Sequence, residues 1–248
     1  MNTPVQSTVQ EELNNRNPWY TGDQSEWANR PGIRDIYAGR ERFFQRCLDR
    51  THDHFRCHLH VLDAGCGDGY WLTRLGHPPH TQWEAFDYNP VRVRRARQAS
   101  PDIEVTESCF ADYHPRHLFH VVLCSQVLEH IPDDISALKA IRSWLHPEGT
   151  LILGVPNEGS LLHRWKRHRM GERFVTDHIH FYTESGIRVL LLRAGFKTHH
   201  VMREVLYTGI ERLQDFLIRQ RLGFALLSGL SRIIPSECSD FYMECTTR

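Results

Sequence analysis

The sequence predicts an α/β protein with a doubly wound, mostly parallel sheet, and three observations carry that prediction. Strand-length apolar runs alternate with helix-period segments over most of the 248 residues, the connections between them are short, and the central runs are apolar at every position. Alternation with short connections is the pattern of βαβ crossovers, which make neighbouring strands parallel. A strand that is apolar throughout has both faces covered.

The elements follow in order. Residues 1 to about 30 are polar with an aromatic cluster, Trp19, Tyr20 and Trp27, and read as an arm able to order over a ligand. Ile33, Tyr37, Phe43, Phe44 and Leu48 recur at mostly helical spacing, so residues 1–57 divide off as arm plus amphipathic helix, a lid or cap on a main domain 58–248. His60 to Ala64 is the first strand, and a helix from Asp68 to Leu75 is stopped by His77-Pro78-Pro79. Gln82 to Asp87 is a strand, Pro90 to Ala99 an Arg-rich helix with proline in its first turn, and Ile103 to Thr106 a third strand. His120 to Ser125 and Thr150 to Val155 are buried strands flanking a helix marked by Ile135, Leu138, Ile141 and Leu145. Beyond an insertion at 158–177, a helix from Ser185 to Ala194 ends at Gly195. Lys197 to Tyr207 and Asp240 to Thr246 then read as strands on either side of a helical insertion, Gly209 to Ile234, within 208–236.

Composition excludes several classes. Thirty basic and thirty acidic residues leave no net charge to hold nucleic acid or an anionic membrane, so a small-molecule partner is expected. Seven scattered cysteines without a C-x-x-C pair indicate neither a disulfide framework nor a zinc ribbon, and a reducing cytoplasm is the simplest setting. The N-terminus lacks a signal-peptide core and no apolar run reaches the length of a membrane span, so a soluble, unprocessed chain is expected.

The first strand runs into VLDAGCGDGYW, Val61 to Trp71, with glycines at 65, 67 and 69. In an open parallel sheet the ligand crevice lies beyond the carboxyl ends of the strands, so three alternating glycines at the first crossover favour close approach of a ligand over an ordinary tight turn. The spacing is neither G-x-G-x-x-G nor a P-loop, although on glycines alone a dinucleotide stays open. Asp63, at the mouth of the loop, would repel a pyrophosphate and suit a cation. Asp87, 22 residues after Gly65 at the end of strand two, can accept from both hydroxyls of a ribose. A positively charged nucleoside without phosphates satisfies both carboxylates.

VLDAGCGDG, AFDYNP, the FAD of Phe110-Ala111-Asp112, VVLCSQVLEHI and LHPEGTLILGVPN together resemble the successive motifs of class I S-adenosylmethionine-dependent methyltransferases, over residues 58 to 157 and on through HFYTESGIRVLLLRAGF. They are similar to the small-molecule branch that holds ubiquinone-type O-methyltransferases and the methyltransferases of sugar and natural-product pathways. The resemblance implies a Rossmann-like sheet of seven strands with the last antiparallel, S-adenosylmethionine as cofactor and S-adenosylhomocysteine as product. It also implies that Gly65, Cys66 and Gly67 approach the methionine and ribose portion, with Gly69 closing helix on strand. Asp63 would lie near the amino group, Asp87 at the ribose, and Tyr88 and Asn89 beside the adenosine. Phe110, Ala111 and Asp112 would meet adenine, and Ser125 and Gln126 the methionine moiety.

Methyl transfer from a sulfonium is an in-line displacement, so the protein must align the acceptor, exclude water and take a proton from a hydroxyl nucleophile. Histidine suits that last task. His178 and His180 in DHIHFYT stand after the fifth strand, on the cofactor's edge of the sheet, and alternation sends them to one side if the segment is extended; His130 in LEHI is the next candidate. In ubiquinone-type relatives an acidic-histidine pair like Glu129-His130, with another acidic residue three positions earlier, is associated with a divalent metal. That position is Gln126 here, so no obligatory metal is expected, and the His-x-His pairs at 52/54 and 58/60 have no matching cysteines for zinc. The basic run HRWKRHRMGER, with Arg164, Lys166, Arg167, Arg169 and Arg173, is either a solvated helix face or a binder of an anionic acceptor. The leucine-rich insertion 209–234 covers the acceptor pocket or forms a homodimer contact. The reading is a hydroxyl-directed small-molecule methyltransferase. N-methylation of an amino sugar or metabolite amine, and a non-catalytic cofactor-binding partner subunit, are the alternatives.

Overall fold

The structure, a computed structural model, describes residues 28–171 and 176–248. The aromatic cluster Trp19, Tyr20 and Trp27, and Arg173, lie outside the described residues. In chain order the elements are α1 (Ile33–Phe55), β1 (Leu59–Ala64), α2 (Tyr70–Leu75), β2 (Thr81–Asp87), α3 (Pro90–Ala99), β3 (Glu104–Glu107), β4 (Phe119–Ser125), α4 (Asp134–Trp144) and β5 (Leu145–Pro156). There follow α5 (Leu161–Met170), α6 (Glu184–Arg193), β6 (Phe196–Arg203), α7 (Glu211–Arg219), α8 (Arg221–Ile233) and β7 (Asp240–Thr247).

The strands form one seven-stranded sheet in the order β3-β2-β1-β4-β5-β7-β6. β1 to β5 pair in parallel, and β7 lies antiparallel between β5 and β6. The order reverses between β1 and β4, and that switch point opens the crevice at their carboxyl ends. Because side chains alternate along a strand, Val61, Val121, Leu123 and Ile152 pack with α1, α2 and α3 on one face. Leu62, Val122, Leu151 and Leu153 pack with α4 and α6 on the other. Helix α1 earns its place by spacing: Tyr37, Arg40, Phe44, Cys47, Leu48 and Thr51 are its buried side chains, together with Phe43.

Several boundaries differ from the sequence expectation, and β5 begins at Leu145, expected on the preceding helix, because Leu145 already pairs with Phe119 of β4. Helix α2 begins at Tyr70 and not Asp68, because Gly69 sits in left-handed conformation (φ 82°) as its N-cap. Strand β6 stops at Arg203, and the extended run beyond it leaves the sheet: Leu206 donates to the Leu227 carbonyl and Tyr207 to that of Glu237, so its backbone pairs with the insertion. The insertion is two helices, α7 and α8, separated at Gln220, whose backbone is extended.

Candidate active site

The loop after β1 is shaped by close approaches. Gly65 has φ 84°, and a Cβ there would stand 2.6 Å from a Val127 methyl; at Gly69 a Cβ would stand 3.0 Å from the Cα of Ala96 in α3. Both positions therefore need glycine for conformation and for space. The amides of Gly65 and Cys66 donate to the Phe86 carbonyl at 2.8 and 3.0 Å, which ties the loop to the end of β2. Asp87 completes that tie: Gly67 N–H donates to its Oδ2 and Asn89 N–H to its Oδ1, each at 2.9 Å.

Asp63 is different. It is 1% exposed, and its Oδ2 is buried without a hydrogen-bond partner. Burial, with the charge of Asp87 beside it, raises its carboxyl to about 8. Asp87 is also pushed up by burial, against the two backbone hydrogen bonds that pull it down. Burial and the nearby Asp63 and Asp87 hold the Cys66 thiol well above its ordinary range. Two adjacent buried carboxylates, one with an unmatched oxygen, make a cradle that fits a cationic ligand and disfavours a pyrophosphate.

The other cofactor-side residues take distinct places. Tyr88 is 40% exposed at the mouth, whereas Asn89 is buried and caps α3, its Oδ1 accepting from Val91 and Arg92 amides. Phe110 packs on Phe86 and Trp144, with ring centroids 5.1 and 5.8 Å away, while Ala111 and Asp112 are exposed. The Cys109 thiol donates to Asp112 at 3.1 Å, within a turn closed by Asp112 N–H on the Cys109 carbonyl. Ser125 ends β4 and Gln126 follows it, their side chains 3.5 and 3.4 Å from the Tyr242 hydroxyl of β7. Gln126 is held at φ 58°, a conformation a non-glycine residue adopts at a cost, by its amide bond to the Gly154 carbonyl.

Val127, against Gly65, leads directly into a short 3-10 turn, Leu128–His130, that carries the second group of polar residues. Glu129 is 0% exposed with neither carboxylate oxygen hydrogen-bonded, and burial raises it to about 8. Ligand-capable atoms of Glu129, His130 and His178 lie within 4.8 Å of one another. His130 Nδ1 stands 3.4 Å from Asp177, and burial lowers this imidazole to about 4. His178 Nδ1 donates to Glu158 Oε2 at 2.8 Å. Burial pulls the His178 imidazole down, but the hydrogen bond and charge of Glu158 outweigh it and the net direction is up.

The structure brings His130 and His178 together, rings 4.8 Å apart, and parts them from His180. Residues 176–183 are irregular, with Ile179 and His180 amides both on the Glu129 carbonyl. The alternation expected of a strand is therefore lost: His180 turns to the Ile131 carbonyl at 2.9 Å and to Asp134. Glu158, Asp177 and Val127 did not emerge from the sequence; the signal for Glu158 was a carboxylate two residues past β5, on the carboxyl edge. The basic run is largely spent on the fold: Lys166 pairs with Glu211, Arg167 lies over Phe181 and donates to the Glu158 carbonyl, and Arg169 lies over Trp165.

Comparison with known proteins agrees with this geometry. A family profile described as a methyltransferase domain matches residues 33–201, more than half of the chain. Trans-aconitate 2-methyltransferase of Escherichia fergusonii is 27% identical over 99 residues, 40% of this chain and 39% of that protein. The chain thus matches about two fifths of the length of such curated relatives. Among solved structures, N-methyltransferase NodS of Bradyrhizobium japonicum with S-adenosylhomocysteine superposes with TM-score 0.59 at 16% identity, covering 97% of each chain. The putative sarcosine dimethylglycine methyltransferase of Galdieria sulphuraria gives 0.60 at 15%, covering 86% of each. Magnesium protoporphyrin IX methyltransferase of Synechocystis gives 0.59 at 16%, covering 87% of this chain and 86% of that one. With the strand order, the glycine loop and the two carboxylates in place, the profile match identifies the chain as a member of the methyltransferase-domain family, the class I S-adenosylmethionine-dependent methyltransferases.

Proposed function

We propose that this chain transfers the methyl group of S-adenosylmethionine to a hydroxyl of a small molecule, of the kind found among sugar, quinone and natural-product intermediates. The observation that carries the proposal is the Glu158–His178 hydrogen bond of 2.8 Å beside the glycine loop's neighbour, Glu129-His130. When bound, S-adenosylmethionine supplies an electrophilic methyl on its own leaving group. Asp63 meets the ligand's ammonium, Asp87 the ribose hydroxyls, and the backbone of Gly65 to Gly69 lies against the methionine and ribose portion. Glu158 fixes His178 with its Nδ1 protonated, leaving Nε2 to accept the acceptor's proton, and the carboxylate stabilises the imidazolium that results. His130, kept neutral by burial, and Glu129 border the same space.

A second reading is favoured by Glu129. A fully buried carboxyl that takes no hydrogen bond from the protein, with only His130 Nε2 at 4.0 Å, suits a counter-ion for an acceptor amine, which supports N-methylation of an amino sugar or metabolite amine. The assay that separates the two is methyl transfer from labelled S-adenosylmethionine to paired hydroxyl and amine acceptors. For hydroxyl acceptors, His178→Ala and Glu158→Gln should lower kcat with cofactor affinity unchanged. Because Glu158 holds His178 up, Glu158→Gln should also move the acid limb of the rate profile to lower pH. Activity unaltered in both variants would remove His178 as the base. Calorimetry with S-adenosylmethionine, S-adenosylhomocysteine and NAD tests the cofactor, and failure of the first two to bind would favour the partner-subunit alternative.

Among the described residues no helix is long and apolar enough to cross a membrane. All seven cysteines are free, which supports a reducing, cytoplasmic setting. We also propose a homodimer through 209–234, supported by the exposed Leu222, Leu226 and Ile233 of α8.

A further inference from the structure

The pole of the sheet opposite the catalytic crevice is rich in histidine. His60 is the second residue of β1, Glu84 lies on β2 next to it, and His117 stands just before β4. In register His60 faces Gln82 and Leu62 faces Glu84, so His60 and Glu84 share one side of the sheet as diagonal cross-strand neighbours. The sequence offered His58 and His60 as a bare pair; the fold supplies the partners that were missing.

Three features of this group need a common cause. His60 Nδ1 and His117 Nε2 are both buried, and neither makes a hydrogen bond. His117 Nε2 nevertheless lies 3.1 Å from Glu84 Oε1, and the two histidine rings are 4.5 Å apart at 61°. One ligand-capable atom from each of His60, Glu84 and His117 falls within 4.8 Å of the other two. Close approach without a hydrogen bond means that the ring nitrogen's in-plane axis does not point at the carboxylate oxygen. Ligands that converge on a shared third atom have that geometry: with metal–ligand bonds of about 2.0–2.1 Å at tetrahedral angles, donor atoms stand roughly 3.3 Å apart and aim between one another. Two buried ring nitrogens left unbonded would otherwise be a standing cost.

We propose that His60, Glu84 and His117 form a zinc site, with the fourth position open to water. Two imidazoles and one carboxylate are a borderline donor set that suits zinc and is poor for magnesium or calcium, which take oxygen ligands. The site is separate from the cofactor cradle: Asp63 lies three residues further along β1 and on the opposite side of the sheet from His60. Its neighbour His120 is already committed, its Nδ1 accepting from the His60 amide at 2.9 Å and its Nε2 lying 3.4 Å from the Cys57 thiol. Bound metal would clip β1, β2 and the connection before β4, the connection that also carries Phe110 to Asp112. Zinc held there binds the folded chain and not the unfolded one, so it should raise the melting temperature.

The test is calorimetric titration of the chelator-stripped full chain with zinc chloride, with magnesium chloride as control, on wild type, His60→Gln, His117→Gln and His178→Gln. The expected result is one tight equivalent of zinc and none of magnesium. That equivalent should weaken at least ~10-fold in His60→Gln and in His117→Gln, since even outer-shell partners of a metal are worth about that much. It should persist in His178→Gln. Absence of a tight equivalent would overturn the proposal, and so would its loss in His178→Gln with retention in His60→Gln, which would place the metal at Glu129-His130-His178. Melting temperatures of the zinc-free variants equal to that of the zinc-free wild type show that they fold, and sulfur ligation in a zinc-edge absorption spectrum would also count against the site.

Discussion

At the residue scale, Asp63 ties the stability of the folded chain to pH. An unfolded Asp titrates near 3.8, while folded Asp63 is raised to about 8. A raised carboxyl stabilises the folded chain fully below the unfolded value, and that contribution is lost as pH rises from about 4 through about 8. Asp63→Asn should therefore flatten the fall in melting temperature of the ligand-free chain over that window and leave it more stable at pH 8. Glu129, raised to about 8, keeps its own share of the slope. The same substitution should weaken S-adenosylmethionine by roughly 1.5–3 kcal/mol, on the order of ten- to a hundredfold, since a hydrogen bond to a charged group is lost. Thermal unfolding against pH and calorimetry check the two halves, and equal affinity in the variant would remove Asp63 from the cradle. This residue was legible in the sequence because its place, at the end of the first strand and before the glycines, is set by local pattern. Glu158 was not, since its link to His178 crosses an irregular segment whose path no periodicity encodes.

At the scale of elements, the strands and helices from β1 to β5 were readable because burial on both faces leaves an unbroken apolar run, and α3 lies where proline and Asn89 set its start. What failed to show was how distant elements are joined. Helix α1 is pinned across the end of the sheet by Arg40, which is buried, pairs with Glu204 through Nε and Nη2, and stands 3.7 Å from Asp240. Its guanidinium also lies 4.8 Å from the Tyr37 ring and 5.0 Å from that of Tyr242. The partners are 164 residues apart, beyond any local signal. Glu204, the residue after β6, is buried against the arginine, and burial raises it to about 7 even so. Removing one member of a buried pair strands the other, so Arg40→Ala should cost about 3–5 kcal/mol. A double variant, Arg40→Met with Glu204→Leu, should recover much of that loss. Denaturant unfolding of the three chains measures it, and a loss below about 1 kcal/mol in Arg40→Ala would show that the pair is not anchoring α1.

At the scale of the whole molecule, the balanced charge and the seven-stranded sheet leave one surface unexplained. Helix α7 exposes Leu213 and Phe216, and α8 exposes Leu222, Leu226 and Ile233, the last three at 87%, 56% and 76%. Leu222, Ala225, Leu226, Gly229 and Ile233 follow i, i+3, i+4, i+7, i+11 and so lie on one stripe of α8, while Leu227 on its other side is buried against Val205 and Ile218. A continuous apolar stripe of this kind on a monomer is a liability unless it is covered. The small residues at 225 and 229 let a second helix approach closely, with open space around the position a Gly229 Cβ would take. An antiparallel pair of α8 helices about a two-fold axis midway between Leu226 and Gly229 would set Leu222 of one copy near Ile233 of the other, a self-complementary contact. It would also bring Arg221 towards Arg232, so the dimer should tighten as salt screens the arginines, the reverse of an interface held by ion pairs. Light scattering should give a mass near twice 29.1 kDa, rising toward that value with ionic strength. Leu226→Arg should return the mass of one chain without altering S-adenosylmethionine affinity. A mass of one chain for the wild type at high salt and high concentration would leave the stripe to another partner and end the dimer proposal.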